Sequence, residues 1–421
     1  EFMAENAGIL NDEDGETPDW IELKNPIPFP LGVTGWSLTD DPLLPQKWTL
    51  PAGEEIPANG YLLVFASGKN RRVPDGELHT NFQLSSGGEY LALVRPDASV
   101  AHEFLPGYPN QFEDIAYGTQ PDGMTYRFLT DPTPGGENST AGVIGFVEDT
   151  KFQPDRGFYD TEQVVTITCP TPGATIVYTT DASTPSLSNG TQVPAADSFT
   201  PPVATITIGQ TTTLRAAAFL EDYKPTNTDT HSYFFLDDIV LQSSNGNAPA
   251  GWPSGSLNGQ SFDYGMDPNI VNDEIWGPQL RAAMLQIPSI SIVTDQNNLT
   301  GASDGIYIHA GNDGDTWERP TSVELLNPDN SPAFQVNAGV RIRGGFSRGG
   351  FNPKHSFRLF FRSEYGPSRL RYQLFGSEGA DDFDKIDLRT AQNYAWSNNT
   401  GNNELHNILI RDVFHRDSQR D

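Results

Sequence analysis

The sequence predicts a mainly β protein, with two β-sandwiches followed by an α+β region. Three observations carry this. Gly (40 residues) and Pro (33) are abundant, as in strand-and-turn architecture. Short apolar runs, the length of strands, alternate with turn clusters along the first half of the chain. Aromatic residues make up 11% of the 421, enough large side chains to fill cores and to argue against wholesale disorder.

Charge narrows the partners. With 26 Lys+Arg against 55 Asp+Glu the formal charge is −29, so most of the surface repels nucleic acid and anionic membranes. One reading of the acidity is solubility; the other is a set of divalent-cation sites, since clustered carboxylates suit hard cations. Apolar runs are too short to span a bilayer. A single cysteine, Cys169, allows no internal disulfide and no zinc cluster. It sits at a strand end, where a buried apolar role is expected rather than a reactive thiol. The chain opens at Glu1-Phe2-Met3 without a signal-peptide pattern, and it stops at Asp421 inside what reads as a helix. A fragment of a longer protein is the expectation.

In the first region, residues 1–142, the expected strands are Trp20–Leu23, Gly35–Leu38, Lys47–Leu50, Tyr61–Phe65 and Tyr90–Val94, divided by stretches such as Pro57-Ala58-Asn59-Gly60. Asp19-Trp20-Ile21-Glu22-Leu23-Lys24-Asn25-Pro26, Gly35-Trp36-Ser37-Leu38-Thr39-Asp40-Asp41 and Ile56-Pro57-Ala58-Asn59-Gly60-Tyr61 resemble the bacterial lamin tail domain. That resemblance implies an immunoglobulin-like sandwich without catalysis. The loop Asn11-Asp12-Glu13-Asp14-Gly15-Glu16 is a candidate calcium site, with Asn11, Asp12, Asp14 and Glu16 as ligands, because alternate carboxylates on a Gly-bent loop converge on one point. The full EF-hand pattern is absent, and a solvated turn is the competing reading.

In the second region, 143–237, Thr, Val and Ile dominate the expected strands Val164–Thr168, Thr175–Thr179, Ala204–Ile208 and Thr213–Phe219. Pro154 through Tyr159, Gly173 through Asp181, Ser183-Thr184-Pro185-Ser186 and Thr213-Leu214-Arg215-Ala216 resemble the chitobiase/β-hexosaminidase C-terminal domain. The resemblance implies a second immunoglobulin-like sandwich, an accessory module with no paired catalytic carboxylates of its own. Residues 238–286 read as a linker with a short helix near 277–286. Trp252, Phe262, Tyr264 and Met266 imply that the linker packs on something.

The third region, 287–421, reverses the charge pattern. Residues 1–280 carry 11 basic and 38 acidic side chains, whereas 281–421 carry 15 and 17. Within 341–371 there are eight basic residues and one acid, Glu364. Val340-Arg341-Ile342-Arg343 places both arginines on one strand face, and Lys354, Ser356, Arg358 and Arg362 share a face by parity. The loop Gly344-Gly345-Phe346-Ser347-Arg348-Gly349-Gly350 joins the two strands. Arg forks, a Lys point charge and glycines that let the backbone approach make a candidate polyphosphate cradle; a solvated basic sheet face is the alternative. Asp313 and Asp315 in Asn312-Asp313-Gly314-Asp315 form a second candidate calcium turn. No HExxH, HxxxH or GxSxG pattern occurs, which argues against a zinc hydrolase and an α/β-hydrolase.

Gly339 through Gly345, Ser347-Arg348, Asn352-Pro353-Lys354-His355-Ser356-Phe357-Arg358, Ile386-Asp387-Leu388-Arg389 and Ile408 through Phe414 resemble the CotH kinase-like family. The resemblance implies a kinase-like α+β lobe, present here as its N-terminal part. It implies ATP and Mg²⁺ as cofactors, Ser or Thr residues of surface or secreted proteins as acceptors, and an extracellular or cell-surface location. Lys354 is then the phosphate lysine, and Arg341, Arg343, Arg348 and Arg358 support the phosphates. His355 stands where the family commonly carries a second Lys. The helix 404–418 takes the αC place with Glu404 as a lysine partner, and the family's metal-binding acids lie beyond Asp421. Asp381, Asp382, Asp384 and Asp387 precede that helix and are poor substitutes. The rival expectation is a structural or adhesive surface protein that self-assembles through its sandwiches and carries out no chemistry.

Overall fold

The computed structural model describes residues 1–73, 76–138, 142–242, 247–352, 354–376 and 379–390. The expected helix 404–418 lies outside them. The chain is mainly β, with sandwiches and only short helices. It divides into two compact units, Glu1–Phe146 with Glu221–Lys224, and Val147–Leu220 with Pro225–Asp421.

The first unit is built on a six-stranded sheet. Its strand order is Tyr126–Leu129, Ala116–Thr119, Phe2–Met3, Asp19–Lys24, Tyr61–Ala66 and Leu78–His79. A four-stranded sheet follows the order Val100–Phe104, Leu91–Val94, Ser37–Thr39 and Trp48–Thr49. The two-residue side-chain period sorts the large sheet's apolar residues between two cores. Phe2, Ile21 and Val64 join Leu38, Trp48 and Leu91 of the smaller sheet. Met3, Trp20 and Phe65, their chain neighbours, pack with Ala116 and Leu129 instead. Being covered on both faces explains why three consecutive residues of Asp19–Lys24, namely Trp20, Ile21 and Glu22, are all buried instead of alternating in and out.

The second unit contains a sandwich and a further sheet. The sandwich pairs a three-stranded sheet, Lys151–Gln153, Gln163–Thr168 and Val203–Ile208, with a five-stranded one. The latter runs Gly157–Phe158, Asp229–Phe234, Thr212–Phe219, Thr175–Thr179 and Thr191–Pro194. Val165, Ile167, Ile176, Leu214 and Tyr233 are fully buried between them. Cys169 is buried too, its thiol donating to Glu148 O at 3.1 Å, as expected of a small interior side chain.

The further sheet is a five-stranded antiparallel array in the order Ser289–Val293, Arg319–Leu326, Gln335–Arg343, Ser356–Phe360 and Lys385–Leu388. Val323, Val336, Ala338, Val340, Ile342 and Leu359 form its buried face with Ile306 and Ala310. A buried carboxylate ties it to the sandwich: Glu324 accepts from Ser232 N (3.0 Å) and Ser232 Oγ (2.5 Å). Burial holds its pKa above the usual carboxylate range. The segment 238–286 is not a bare linker. It carries the small hairpin Ser256–Leu257 and Gln260–Ser261, and Phe262 stacks on Tyr307 at 5.7 Å.

Candidate functional site

The basic hairpin forms as its alternation predicts. Arg341 lies opposite Arg358 and Arg343 opposite Ser356, so these four side chains share one sheet face. The second strand begins at Ser356; Lys354 precedes it, exposed, in the turn after the loop.

Two like charges directly opposite each other repel unless acids intervene. Here Asp387, on the next strand, is the cross-strand partner of Arg358. It receives a bidentate fork from Arg358 Nε (2.5 Å) and the Arg358 guanidinium (2.7 Å), and Arg343 Nε at 3.3 Å. Hydrogen bonding to Arg358 holds the Asp387 carboxyl below its usual range. Arg341 turns the other way. Its Nε lies 2.7 Å from the buried carboxylate of Glu318, which also meets Arg362 at 3.3 Å. The Arg341 guanidinium further pairs with Asp315 and sits 4.3 Å over the Phe360 ring. Asp315, one of the two candidate calcium ligands of the 312–315 turn, is thus engaged by arginine, while Asp313 is exposed.

Arg348 faces inward. It donates to four backbone carbonyls: Gly344 (2.5 Å), Ala310 (2.6 Å), Asn312 (2.6 Å) and Ile342 (2.8 Å). The rest of the loop follows the same rule. Ser347 Oγ donates to Arg343 O, Arg348 N to Gly345 O, Gly349 N to Phe346 O, and Asn352 N to Gly349 O. His355 Nδ1 donates to Ser347 O at 2.5 Å; burial lowers the pKa of this histidine, so it is read as neutral. The carbonyls of Gly344, Gly345, Phe346, Ser347 and Gly349 are therefore tied into the protein. The amides of Gly345, Phe346 and Ser347 donate to no group among the described residues. Lys354 Nζ has no ion-pair partner there either, alone among the cations of the hairpin and its loop apart from the inward-facing Arg348.

The acidic loop of the first unit closes through Asp12, which is buried and accepts the amides of Asp14 (3.0 Å) and Glu16 (2.9 Å). The carboxylates of Asp12, Asp14 and Glu16 converge, as their spacing predicts, and Asn11 is exposed beside them. A lysine sits at the convergence point: Lys69 Nζ pairs with Asp12, with Asp14 at 2.7 Å and with Glu16 at 2.8 Å. Arg71 binds Asp14 at 2.6 Å, and His79 reaches Glu13 at 2.9 Å.

Sequence reading did not find Glu318, the pairing of Asp387 with Arg358 and Arg343, or Lys69. The one available signal was charge: an uncompensated basic run implies acids brought from elsewhere in the chain. Comparison with known proteins bears on one module. No curated protein and no solved structure matches the chain. Residues 154–230 match the chitobiase/beta-hexosaminidase C-terminal domain family, and the strands Gln163–Thr168 to Thr212–Phe219 that form the heart of the second sandwich lie inside that match, so this stretch is a chitobiase/beta-hexosaminidase C-terminal-like domain within a longer chain.

Proposed function

We propose that the chain is part of a secreted or cell-surface protein whose region 287–421 holds ATP as the N-terminal part of a CotH-like protein-kinase module. The two sandwiches, the first resembling a lamin tail domain, are its accessory modules. The observation that supports this most is the polarity of the loop Gly344–Gly350. All but one of its carbonyls are occupied from within the protein, while three consecutive amides and the Lys354 ammonium remain for an anion. Lys354 supplies the point charge, and Arg343, its side chain 47% exposed, adds a second cation beside the loop. Arg341 and Arg358, on the same face, are committed to Glu318 and Asp387 and shape the sheet. Mg²⁺ would neutralise charge on the phosphates; acceptors would be Ser or Thr residues of surface or secreted proteins.

A second reading is favoured by the same ion pairs. Arginines committed to carboxylates brace a sheet, and a non-catalytic, self-assembling surface protein needs no more. ATP titration separates the two. The kinase-like reading expects ATP to bind more tightly than adenosine, salt to weaken it, and Lys354→Ala to abolish it while the melting temperature holds. Equal affinity of parent and variant, or no binding to either, leaves the structural reading.

A further inference from the structure

The glycine-rich loop is gripped from outside the hairpin, by the segment 256–261. Ser261 N donates to Gly350 O at 3.0 Å. A Cβ on Gly350 would overlap the carbonyl oxygen of Gly259, so the two backbones meet where only glycine fits. The Gln260 amide lies 3.0 Å from His355 Nε2. The Gln260 atom nearest Nε2 is Oε1; because His355 gives its Nδ1 proton to Ser347 O, a neutral imidazole accepts at Nε2, and we assign the Gln260 amide in its flipped orientation, with NH₂ toward the ring. Asn258 anchors the tip, its amide donating to Ile308 O at 2.7 Å. Tyr307 braces His355 from the side, with ring centroids 4.4 Å apart. Ninety-five residues separate Gln260 from His355, so this contact belongs to the tertiary fold and not to the local turn.

Apart from the Asn258 anchor, these contacts reach the loop at Gly350 or through His355. None uses the amides of Gly345, Phe346 or Ser347. We propose that residues 256–261 are a strap that holds the glycine-rich loop in the conformation that receives a polyphosphate, and that the strap's grip sets nucleotide affinity at this site. The proposal rests on the nucleotide reading above for its ligand, but the grip itself is a separate claim. A glycine-rich loop left free loses conformational entropy on binding a ligand. The strap removes part of that loss beforehand. It also accounts for His355 beside Lys354: a neutral imidazole links loop to strap through two nitrogens, which a lysine does not.

The test uses the whole 421-residue chain with two variants. Gln260→Ala removes the link to His355 and disturbs little else. Gly350→Ala drives the Gly259 carbonyl away and serves as the stronger release. Hydrogen exchange over 344–352 is read without nucleotide, and ATP affinity is read by titration. Both variants are expected to keep a cooperative melt, to exchange the bonded amides of Arg348, Gly349 and Asn352 about 5-fold faster or more, and to bind ATP about 5- to 10-fold more weakly, the range one lost hydrogen bond and some preorganisation account for. Unchanged exchange in both variants overturns the strap. Faster exchange with parental ATP affinity overturns its control of the site. A parent chain that binds no ATP overturns the nucleotide reading, and exchange alone then decides whether the strap grips the loop.

Discussion

The carboxylate of Glu318 occupies the space that a side chain at residue 339 would fill, and residue 339 is glycine. Glu318 is buried there, clasped by Arg341 and Arg362. Gly339→Ala should push the carboxylate off its arginines, and Glu318→Ala should leave Arg341, itself largely buried, without its buried partner and with only the exposed Asp315. Breaking a buried pair costs about 3–5 kcal/mol; Arg362 is partly exposed, so about 2–3 kcal/mol is expected for either variant. Urea unfolding measures it, and a loss below about 0.5 kcal/mol in both would show the clasp to be ornamental.

Arg348→Lys is predicted to loosen the loop without touching the acids. Lysine carries one ammonium where arginine reaches four carbonyls in three directions. At least two carbonyls lose their donor, at about 1 kcal/mol each. A stability loss of about 2 kcal/mol is expected, with faster proteolysis between 342 and 352. Parental protection would contradict the inward role of this arginine.

Asp19 gives a pH dependence of known sign. Burial pushes its pKa up to about 6, against hydrogen bonds from the amides of Asn6 and Leu84 that act to lower it. Below the unfolded value of 3.8 both states hold the proton. Above it the unfolded state releases the proton first, so stability falls as pH rises and levels off past about 6. Relative to Asp19→Asn, the parent should lose about 1–2 kcal/mol between pH 4 and pH 7. Parallel stability profiles for parent and variant would contradict the shift.

Lys69 sets the response of the first acidic loop to calcium. Its ammonium already sits among the carboxylates of Asp12, Asp14 and Glu16 and offsets part of their charge. A divalent ion must displace it, so the parent should gain little melting temperature in millimolar Ca²⁺. Lys69→Ala should melt lower in chelator, because Asp12 keeps a buried charge, and should recover several degrees when Ca²⁺ is added. A large calcium shift in the parent, unchanged in the variant, would place the ion elsewhere.

Local sequence determined a good deal here. Thr175–Thr179 is a strand with the bounds its β-branched run predicts, and Gln163–Thr168 and Thr212–Phe219 extend theirs by one residue. The alternation in Val340–Arg343 correctly placed Arg341 and Arg343 on one face. Such patterns are legible because a strand's side-chain period is set by the backbone itself. The partners of those arginines were not legible. Glu318 lies 23 residues before Arg341 and Asp387 lies 29 after Arg358, and nothing local to any of them encodes the pairing. The same holds for Lys69, 57 residues from Asp12, and for the strap at Gln260. Charge neutralisation is a non-local property. Which carboxylate reaches which cation depends on strand order and on the gaps that residues such as Gly339 leave, so the run of basic residues announced a need that folding alone could assign.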